Sequence, residues 1–181
     1  QQLSCIPCAG GRFSAVEGRN NETNRGDTKK IPCDGCPRGY YSNKTGRGKD
    51  SECKFCKTGT YSNVEASNKK MDCKLCVAGK YSNLIGANHT DLCTTCPTGY
   101  EQSDAGKAFC LPCAPGKYKN NDAIGRCKIC GIGKYSSEIG RNRTCDNCLK
   151  GTHQPKPGMT ACLDCIPGKY QPESEQEDCK I

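Results

Sequence analysis

Residues 53–76 read CKFCKTGTYSNVEASNKKMDCKLC and contain one complete unit of a repeat that recurs along the chain. Two cysteines separated by two residues are followed by Gly59 and then by Tyr61, and a polar stretch leads to the next cysteine pair. Gly can take a positive φ without a Cβ clash, which a tight turn directly after a cysteine requires. The aromatic ring is the only large apolar group in most units, so we expect it to pack on a disulfide or on a neighbouring unit.

The unit occurs nine times. The first cysteines of successive pairs lie 28, 20, 20, 20, 17, 17, 18, 17 and 17 residues apart, the last step reaching Cys179. A glycine follows the second cysteine by three residues in every unit: Gly11, Gly39, Gly59, Gly79, Gly99, Gly116, Gly133, Gly151 and Gly168. The next position but one, here called the aromatic slot, holds Phe13, Tyr41, Tyr61, Tyr81, Glu101, Tyr118, Tyr135, His153 and Tyr170.

These matches divide the chain into nine repeats. The predicted boundaries are 1–32, 33–52, 53–72, 73–92, 93–109, 110–126, 127–144, 145–161 and 162–181. Cys5 opens a pair with nothing upstream to bond, and the chain ends one residue short of another pair after Cys179. We therefore expect the array to continue beyond this sequence.

Composition predicts how such a chain folds. Leu, Ile, Val and Phe together make up about 12% of the 181 residues, too few for a conventional hydrophobic core. The 19 cysteines are about 10% of the chain, which is typical of a disulfide scaffold. No segment has sustained helical periodicity, and the polar stretches are typical of turns and loops. The fold class is therefore small and disulfide-rich, an elongated tandem-repeat rod with short β-strands and loops and little or no helix.

Two disulfide schemes fit the repeat. The first joins the second cysteine of each pair to the first cysteine of the next, across each glycine turn, so that one bridge closes each unit. It gives Cys8–Cys33, Cys36–Cys53, Cys56–Cys73, Cys76–Cys93, Cys96–Cys110, Cys113–Cys127, Cys130–Cys145, Cys148–Cys162 and Cys165–Cys179. Cys5 is then unpaired or bonded to another chain. The rival scheme interlaces adjacent pairs, such as Cys53–Cys73 with Cys56–Cys76, and leaves Cys165 without a partner.

Cysteine at this density stays oxidised only in an oxidising compartment. Four N-glycosylation sequons, at Asn21, Asn43, Asn88 and Asn142, lie in the polar stretches, where a glycan is sterically possible. A sequon need not be occupied, but we expect at least two of the four to carry N-linked glycans. No apolar run is long enough for a membrane span. The sequence predicts a secreted, extracellular or cell-surface glycoprotein.

The pattern C-x-x-C-x-x-G-x-Y resembles the ephrin-receptor-like cysteine-rich repeat and the single-disulfide module of tumour-necrosis-factor-receptor ectodomains. The resemblance covers essentially the whole chain. It implies an extracellular module found in receptor ectodomains and, as long tandem arrays, in surface and secreted proteins of protists. Receptor ectodomains usually mix several module types, whereas this chain repeats one type, which favours a spacer or fibre.

Other chemistries fit the residues less well. Cysteine pairs at this spacing also match tetrahedral zinc sites, and C-x-x-C is a thioredoxin motif, but the sequons, the uniform glycine turns and the lack of a βαβ context argue against both. His153 occupies an aromatic slot, which favours ring packing, and His89 lies inside the Asn88 sequon. No convergent set of titratable groups is evident, so we expect no enzyme activity, no metal and no cofactor.

The net charge of +8 raises the hypothesis of an acidic polysaccharide partner. Basic residues recur just after the repeat glycine, at Arg12, Lys80, Lys117, Lys134 and Lys169. They could align as a basic stripe or be scattered on a solvated surface, and the acidic segment 173–178 interrupts a stripe. A nucleic-acid partner is not expected, because no recognition element is present.

These observations predict a structural role: a repeat rod acting as a spacer, coat or filament subunit that associates with itself or with neighbouring extracellular proteins. The alternative is a receptor ectodomain or adhesion module that binds a protein ligand.

Overall fold

The computed structural model describes residues 9–13, 34–43, 53–121 and 123–181. These ranges contain sixteen two-residue strands: β1 (Arg12–Phe13), β2 (Asp34–Gly35), β3 (Tyr40–Tyr41), β4 (Lys54–Phe55), β5 (Thr60–Tyr61), β6 (Lys74–Leu75), β7 (Lys80–Tyr81), β8 (Thr94–Thr95), β9 (Tyr100–Glu101), β10 (Leu111–Pro112), β11 (Lys117–Tyr118), β12 (Lys128–Ile129), β13 (Lys134–Tyr135), β14 (Asp146–Asn147), β15 (Thr152–His153) and β16 (Leu163–Asp164). The 3₁₀ helices Lys70–Asp72 and Thr90–Leu92 are the helical segments of the described residues. The predicted fold class, small and disulfide-rich with short strands and almost no helix, is confirmed.

The strands form eight two-stranded sheets by the same rule. The strand that ends at the aromatic slot of one repeat pairs with the two residues between the cysteines of the next repeat. In β5–β6, for example, Thr60 lies opposite Leu75 and Tyr61 opposite Lys74 in antiparallel register. The last unit follows the rule with a single antiparallel bridge between Tyr170 and Lys180. Two-residue ladders supply little stability in water, so these hairpins depend on what closes them.

Disulfides close the hairpins. Bridges join Cys36–Cys53, Cys56–Cys73, Cys76–Cys93, Cys96–Cys110, Cys113–Cys127, Cys130–Cys145, Cys148–Cys162 and Cys165–Cys179. They span 14 to 17 residues, and a loop of about 15 residues gains roughly 3 kcal/mol in the chain-entropy account. These eight pairs are those of the scheme with one bridge per unit. Its ninth pair, Cys8–Cys33, and the unpaired Cys5 lie outside the described residues.

The core consists of sulfur and buried polar groups. The second cysteines of the repeats from Cys36 to Cys148 are at most 1% exposed, and Ala87 is the one aliphatic residue among the buried residues described. Large aliphatic side chains lie at the surface, as with Leu75 at 56% and Ile129 at 58% exposure. The few aliphatic residues therefore do not build the core.

The chain forms two compact units. The first comprises Gln1–Val77, Tyr81–Thr94 and Ala105–Phe109, and it contains the described bridges up to Cys76–Cys93. The second comprises Ala78–Lys80, Thr95–Asp104 and Cys110–Ile181, with the bridges from Cys96–Cys110 onward. Each unit repeats the same hairpin and the same contacts between repeats.

Candidate functional site: the repeat interface

The repeat glycine is the centre of the contact between repeats. All nine repeat glycines have φ between +71° and +88°, the left-handed region that favours glycine. In the described chain, a Cβ added at Gly39 would lie within 3.0 Å of the carbonyl oxygen of Gly86, two repeats further on. The same holds for Gly59 against Gly106 and for Gly116 against Gly158. The glycine is therefore needed for its own turn and for the close approach of a backbone two repeats away.

A hydrogen bond ties each glycine turn to the following repeat. The Gly39 N–H donates to the Ser62 carbonyl at 2.9 Å, and the Gly116 N–H donates to the Ser136 carbonyl at 2.7 Å. Each acceptor belongs to the residue just after the aromatic slot. Equivalent bonds recur in eight repeats, with acceptors at Ser42, Ser62, Ser82, Gln102, Lys119, Ser136, Gln154 and Gln171. The interface is thus a ladder of backbone bonds with one rung per repeat.

A second backbone hydrogen bond joins each repeat to the polar stretch of the next repeat. The Gly86 N–H donates to the Cys56 carbonyl, and the Gly158 N–H donates to the Cys130 carbonyl, both at 2.8 Å. The donor residue again has positive φ, even where it is Ala66 at +53° or Glu175 at +65°. Such a conformation costs a residue with a Cβ about 1 kcal/mol or more, so these two loops keep it at the expense of local strain.

The residue after the aromatic slot was missed by the sequence reasoning. At this position Ser62 is 1% exposed, Gln154 1% and Lys119 3%. The side chains cap the loop that follows: Ser62 Oγ accepts from Val64 N–H at 3.3 Å, and Gln154 Oε1 accepts from Lys156 N–H at 3.1 Å. A signal was present in the sequence, because this position is polar in every repeat. The sequence instead predicts burial of the neighbouring aromatic, because that is the larger apolar side chain.

From Tyr41 to His153 the residues of the aromatic slot are only half-buried, and Tyr170 is exposed. Tyr41 and Cys73 line a shallow apolar pocket of about 150 Å³. Glu101, which replaces the aromatic in its repeat, accepts a 2.8 Å hydrogen bond from Cys127 N–H through Oε2. His153 lies beside Cys179, with 3.1 Å between Nδ1 and Sγ. Glu101 and His153 therefore each contact the cysteine that closes the next bridge, and of these two only His153 places a ring beside a disulfide sulfur.

Two buried cationic side chains, Lys119 and Arg141, add side-chain hydrogen bonds to the interface. The ammonium of Lys119 donates to the Cys96 carbonyl at 2.7 Å, the kind of acceptor that a loop N–H satisfies elsewhere. Arg141 is 2% exposed and donates to the Thr144 carbonyl through Nε at 2.8 Å. Its Nη1 and Nη2 bind the two Asp146 carboxylate oxygens at 2.9 and 2.6 Å. This bidentate hydrogen bond raises the pKa of Arg141 and lowers the pKa of Asp146.

The sequons and the basic positions lie at the surface of the repeats. Asn43, Asn88 and Asn142 are exposed, while Asn21 lies outside the described residues. Arg12 is exposed, and Lys80, Lys117, Lys134 and Lys169 are half-buried. Lys134 forms an ion pair with Glu175 and donates to Asn147 Oδ1 at 2.9 Å, so its charge is already paired within the array.

His153, Cys165 and Cys179 form the one three-residue group among the described residues whose donor atoms lie close enough for a metal ion, within 4.8 Å of one another. Two of these donors are the sulfurs of one disulfide. His89, the other histidine of the chain, is half-exposed, and its Nδ1 accepts a hydrogen bond from the Asp91 N–H. In the part of the chain described, no helix has the length and apolar character needed to cross a membrane.

A scan against protein-family models found no match for the chain, and a search of the curated proteins found none either. The tandem disulfide-bonded hairpins are those of a cysteine-rich repeat protein.

Proposed function

We propose that the chain is a structural glycoprotein of the extracellular space, a cysteine-rich repeat array that serves as a spacer, coat or filament subunit. The observation that carries this proposal is that the buried groups of each repeat contact other repeats. The repeat glycine, the second cysteine and the polar residue after the aromatic slot all contact a neighbouring repeat. A module built this way extends by adding further copies of itself.

The disulfides support the extracellular assignment. Eight bridges in the described chain require an oxidising compartment during folding and in use. Exposed sequons at Asn43, Asn88 and Asn142 are accessible to glycosylation in the same compartment. Treatment of native protein with peptide-N-glycosidase should lower its mass and convert at least two of the four sequon asparagines to aspartate. Unchanged mass at all four sites would remove the glycan part of the proposal.

Exposed apolar side chains supply candidate surfaces for self-association. The residue after the second cysteine is Val77, Leu149 or Ile166 in three repeats, with exposures of 57%, 71% and 63%. These three side chains are candidate contacts with another protein. An acidic polysaccharide is a further candidate partner, supported by the net charge of +8.

Electron microscopy of native material tests the proposal. Ordered filaments or a surface layer with a repeat along its length are expected. A double variant, Leu149→Ser with Ile166→Ser, should weaken assembly. The matched control is Met71→Ser, which alters an 88% exposed side chain in the 3₁₀ helix Lys70–Asp72 and should have no effect. Dispersed particles that never assemble under native conditions would contradict the proposal.

The second candidate, a receptor ectodomain or adhesion module, is supported by the same exposed apolar positions. The complete gene separates the two functions. A membrane span followed by a signalling domain would favour the receptor, whereas dozens of further repeats would favour the fibre.

A further inference from the structure

The shallow pocket beside Tyr41 is lined by aromatic rings, aliphatic carbon and a disulfide. Phe55 and Leu75 line it together with Cys56 and Cys73, which are the two halves of one bridge. Phe55 is 49% exposed and Leu75 is 56% exposed, so both carry apolar surface that water contacts. The volume of about 150 Å³ is that of a cavity which holds one six-membered ring. The pocket therefore has the size and the apolar walls to take a single ring.

Two lysines distinguish this pocket from the general repeat pattern. Lys57 and Lys70 also line it, and both are exposed. Lys57 directly follows the second cysteine of its pair, and no other repeat has lysine at that position. Lys70 begins one of the two described 3₁₀ helices, whereas the other begins at Thr90. The combination of apolar walls with two ammonium groups is thus a property of this repeat, which lies inside the array.

The positive charge around the pocket is not balanced within the chain. Residues 53–76 contain five lysines against two acidic residues, Glu65 and Asp72. The Asp72 carboxylate accepts a hydrogen bond from Ser67 Oγ. In the ranges that the structure describes, the five lysines are exposed and form no ion pair: Lys54, Lys57, Lys69, Lys70 and Lys74. Charge complementarity therefore favours an anionic partner at this pocket.

We propose that this pocket, here called the ring site, binds a carboxylate-bearing sugar ring of an acidic polysaccharide. One face of a pyranose ring consists of C–H groups, which pack on the apolar walls that Tyr41 and Phe55 provide. The carboxylate of the ring accepts hydrogen bonds from the ammonium groups of Lys57 and Lys70. The other three lysines attract further carboxylates along the polymer. The inference rests on the acidic-polysaccharide partner named under the proposed function, and it specifies where on the chain that partner binds.

Titration of the intact, disulfide-bonded chain with galacturonic acid oligosaccharides at low salt tests the ring site. The parent chain carries Asn43→Gln, because that sequon lies two residues after Tyr41 and a glycan there would compete for the pocket. The oligosaccharide should bind, and its affinity should fall as salt is raised. Its methyl ester keeps the rings without the charge, and polyglutamate of equal charge lacks the rings. Each should bind at least about 5-fold more weakly than the acid.

Three results would overturn the proposal. Equal binding of polyglutamate would show a charged surface without a ring site, and equal binding of the ester would show an apolar pocket without anion recognition. Absence of binding by the acid would remove the site altogether. The double variant Leu149→Ser with Ile166→Ser should bind the oligosaccharide as the parent chain does. Failure of the ring site and failure of filament assembly are therefore distinguishable.

Lysine variants test the anionic contact. Lys57→Gln with Lys70→Gln should weaken binding of the acid about 10-fold and leave binding of the ester unchanged. The matched control is Lys128→Gln with Lys150→Gln, which removes two exposed lysines that form no ion pair in the described part of the chain and lie outside the pocket lining. The control should change the affinity by less than about 2-fold. Equal losses in the two double variants would refute a contact at the pocket.

Phe55→Thr tests the apolar wall. The corresponding position two repeats further on holds Thr95, so threonine is compatible with the hairpin. The variant should weaken binding about 5-fold and leave its salt dependence unchanged, because it removes apolar surface and no charge. An unchanged affinity would refute packing of the sugar ring on this wall. An intact Cys56–Cys73 link in the unreduced variant shows that it has folded, and where the link is lost the comparison of the acid with polyglutamate on the parent chain decides.

Discussion

Replacing a repeat glycine by alanine separates two costs that the interface combines. At Gly116 the added Cβ meets a φ of +78° and lies within 3.0 Å of the Gly158 carbonyl oxygen. At the loop glycine Gly140 the φ is +69°, and the nearest atom to the Cβ position is Pro112 Cβ at 3.6 Å, an ordinary van der Waals contact. Gly140→Ala therefore carries the conformational cost alone, about 1 kcal/mol. Gly116→Ala carries that cost together with displacement of a backbone two repeats away.

The second cost follows from the bonds that the displaced loop makes. Gly158 N–H donates to the Cys130 carbonyl at 2.8 Å, and the Met159 carbonyl accepts from Ser136 N–H at 3.1 Å. Loss of both bonds adds about 2 kcal/mol, which brings the total for Gly116→Ala to about 3 kcal/mol.

Amide hydrogen exchange measures these costs locally and without reduction of the disulfides. The segment 152–161 should exchange about 30-fold faster in Gly116→Ala than in the unaltered chain, because the second cost of about 2 kcal/mol falls on this loop and 1.4 kcal/mol corresponds to a factor of ten. In Gly140→Ala the acceleration of exchange in its own turn should not exceed about 10-fold. Equal acceleration of segment 152–161 by the two variants would refute the contact between a glycine and the loop two repeats away.

Two further predictions concern buried polar side chains. Ser62→Ala should destabilise its repeat by about 1 kcal/mol, because the Val64 N–H loses its acceptor. Ser82→Ala should be close to neutral, because Ser82 Oγ has no hydrogen-bond partner among the described residues. Amide hydrogen exchange at the two loops measures both effects, and equal effects would contradict the capping role of Ser62. The Asp146 carboxylate should titrate below the ordinary range of aspartate, and Arg141→Met should return its midpoint to that range. Because the folded pKa is lowered, the stabilisation is complete above the unfolded pKa of about 3.9 and is lost as pH falls through the folded value. Carbon NMR of the carboxylate measures the midpoint, and an ordinary midpoint in the unaltered chain would contradict the ion pair.

The hairpins and the disulfide pairing scheme were accessible from the sequence because they are local. A glycine turn between two cysteines 14 to 17 residues apart indicates where the chain reverses, and it favours one bridge per unit although an interlaced pairing also fits the sequence. The contact between Gly39 and Gly86 was not accessible. It joins backbone groups of repeats that are not adjacent in sequence, and backbone groups leave little trace in side-chain identity.

The burial pattern was accessible only in part. The aromatic slot was expected to provide the main packing, but its rings are half-buried or exposed and the adjacent polar residue is fully covered. The reason is that each repeat is held by hydrogen bonds of its backbone to the next repeat, and the atoms nearest those bonds are the best covered. The role of Arg141 depends on Asp146 lying within reach of a buried guanidinium, which spacing alone does not predict.

One measurement tests the arrangement of one bridge per repeat most directly: tryptic peptide mapping of the native protein without reduction. Trypsin cleaves after Lys54, Lys57, Lys70 and Lys74, so that Cys53, Cys56, Cys73 and Cys76 fall on four separate peptides. The observed Cys56–Cys73 bridge predicts that residues 55–57 (FCK) are linked to residues 71–74 (MDCK). A link between residues 50–54 (DSECK) and residues 71–74 would instead show the interlaced pairing Cys53–Cys73, and it would contradict the structure of every repeat described here.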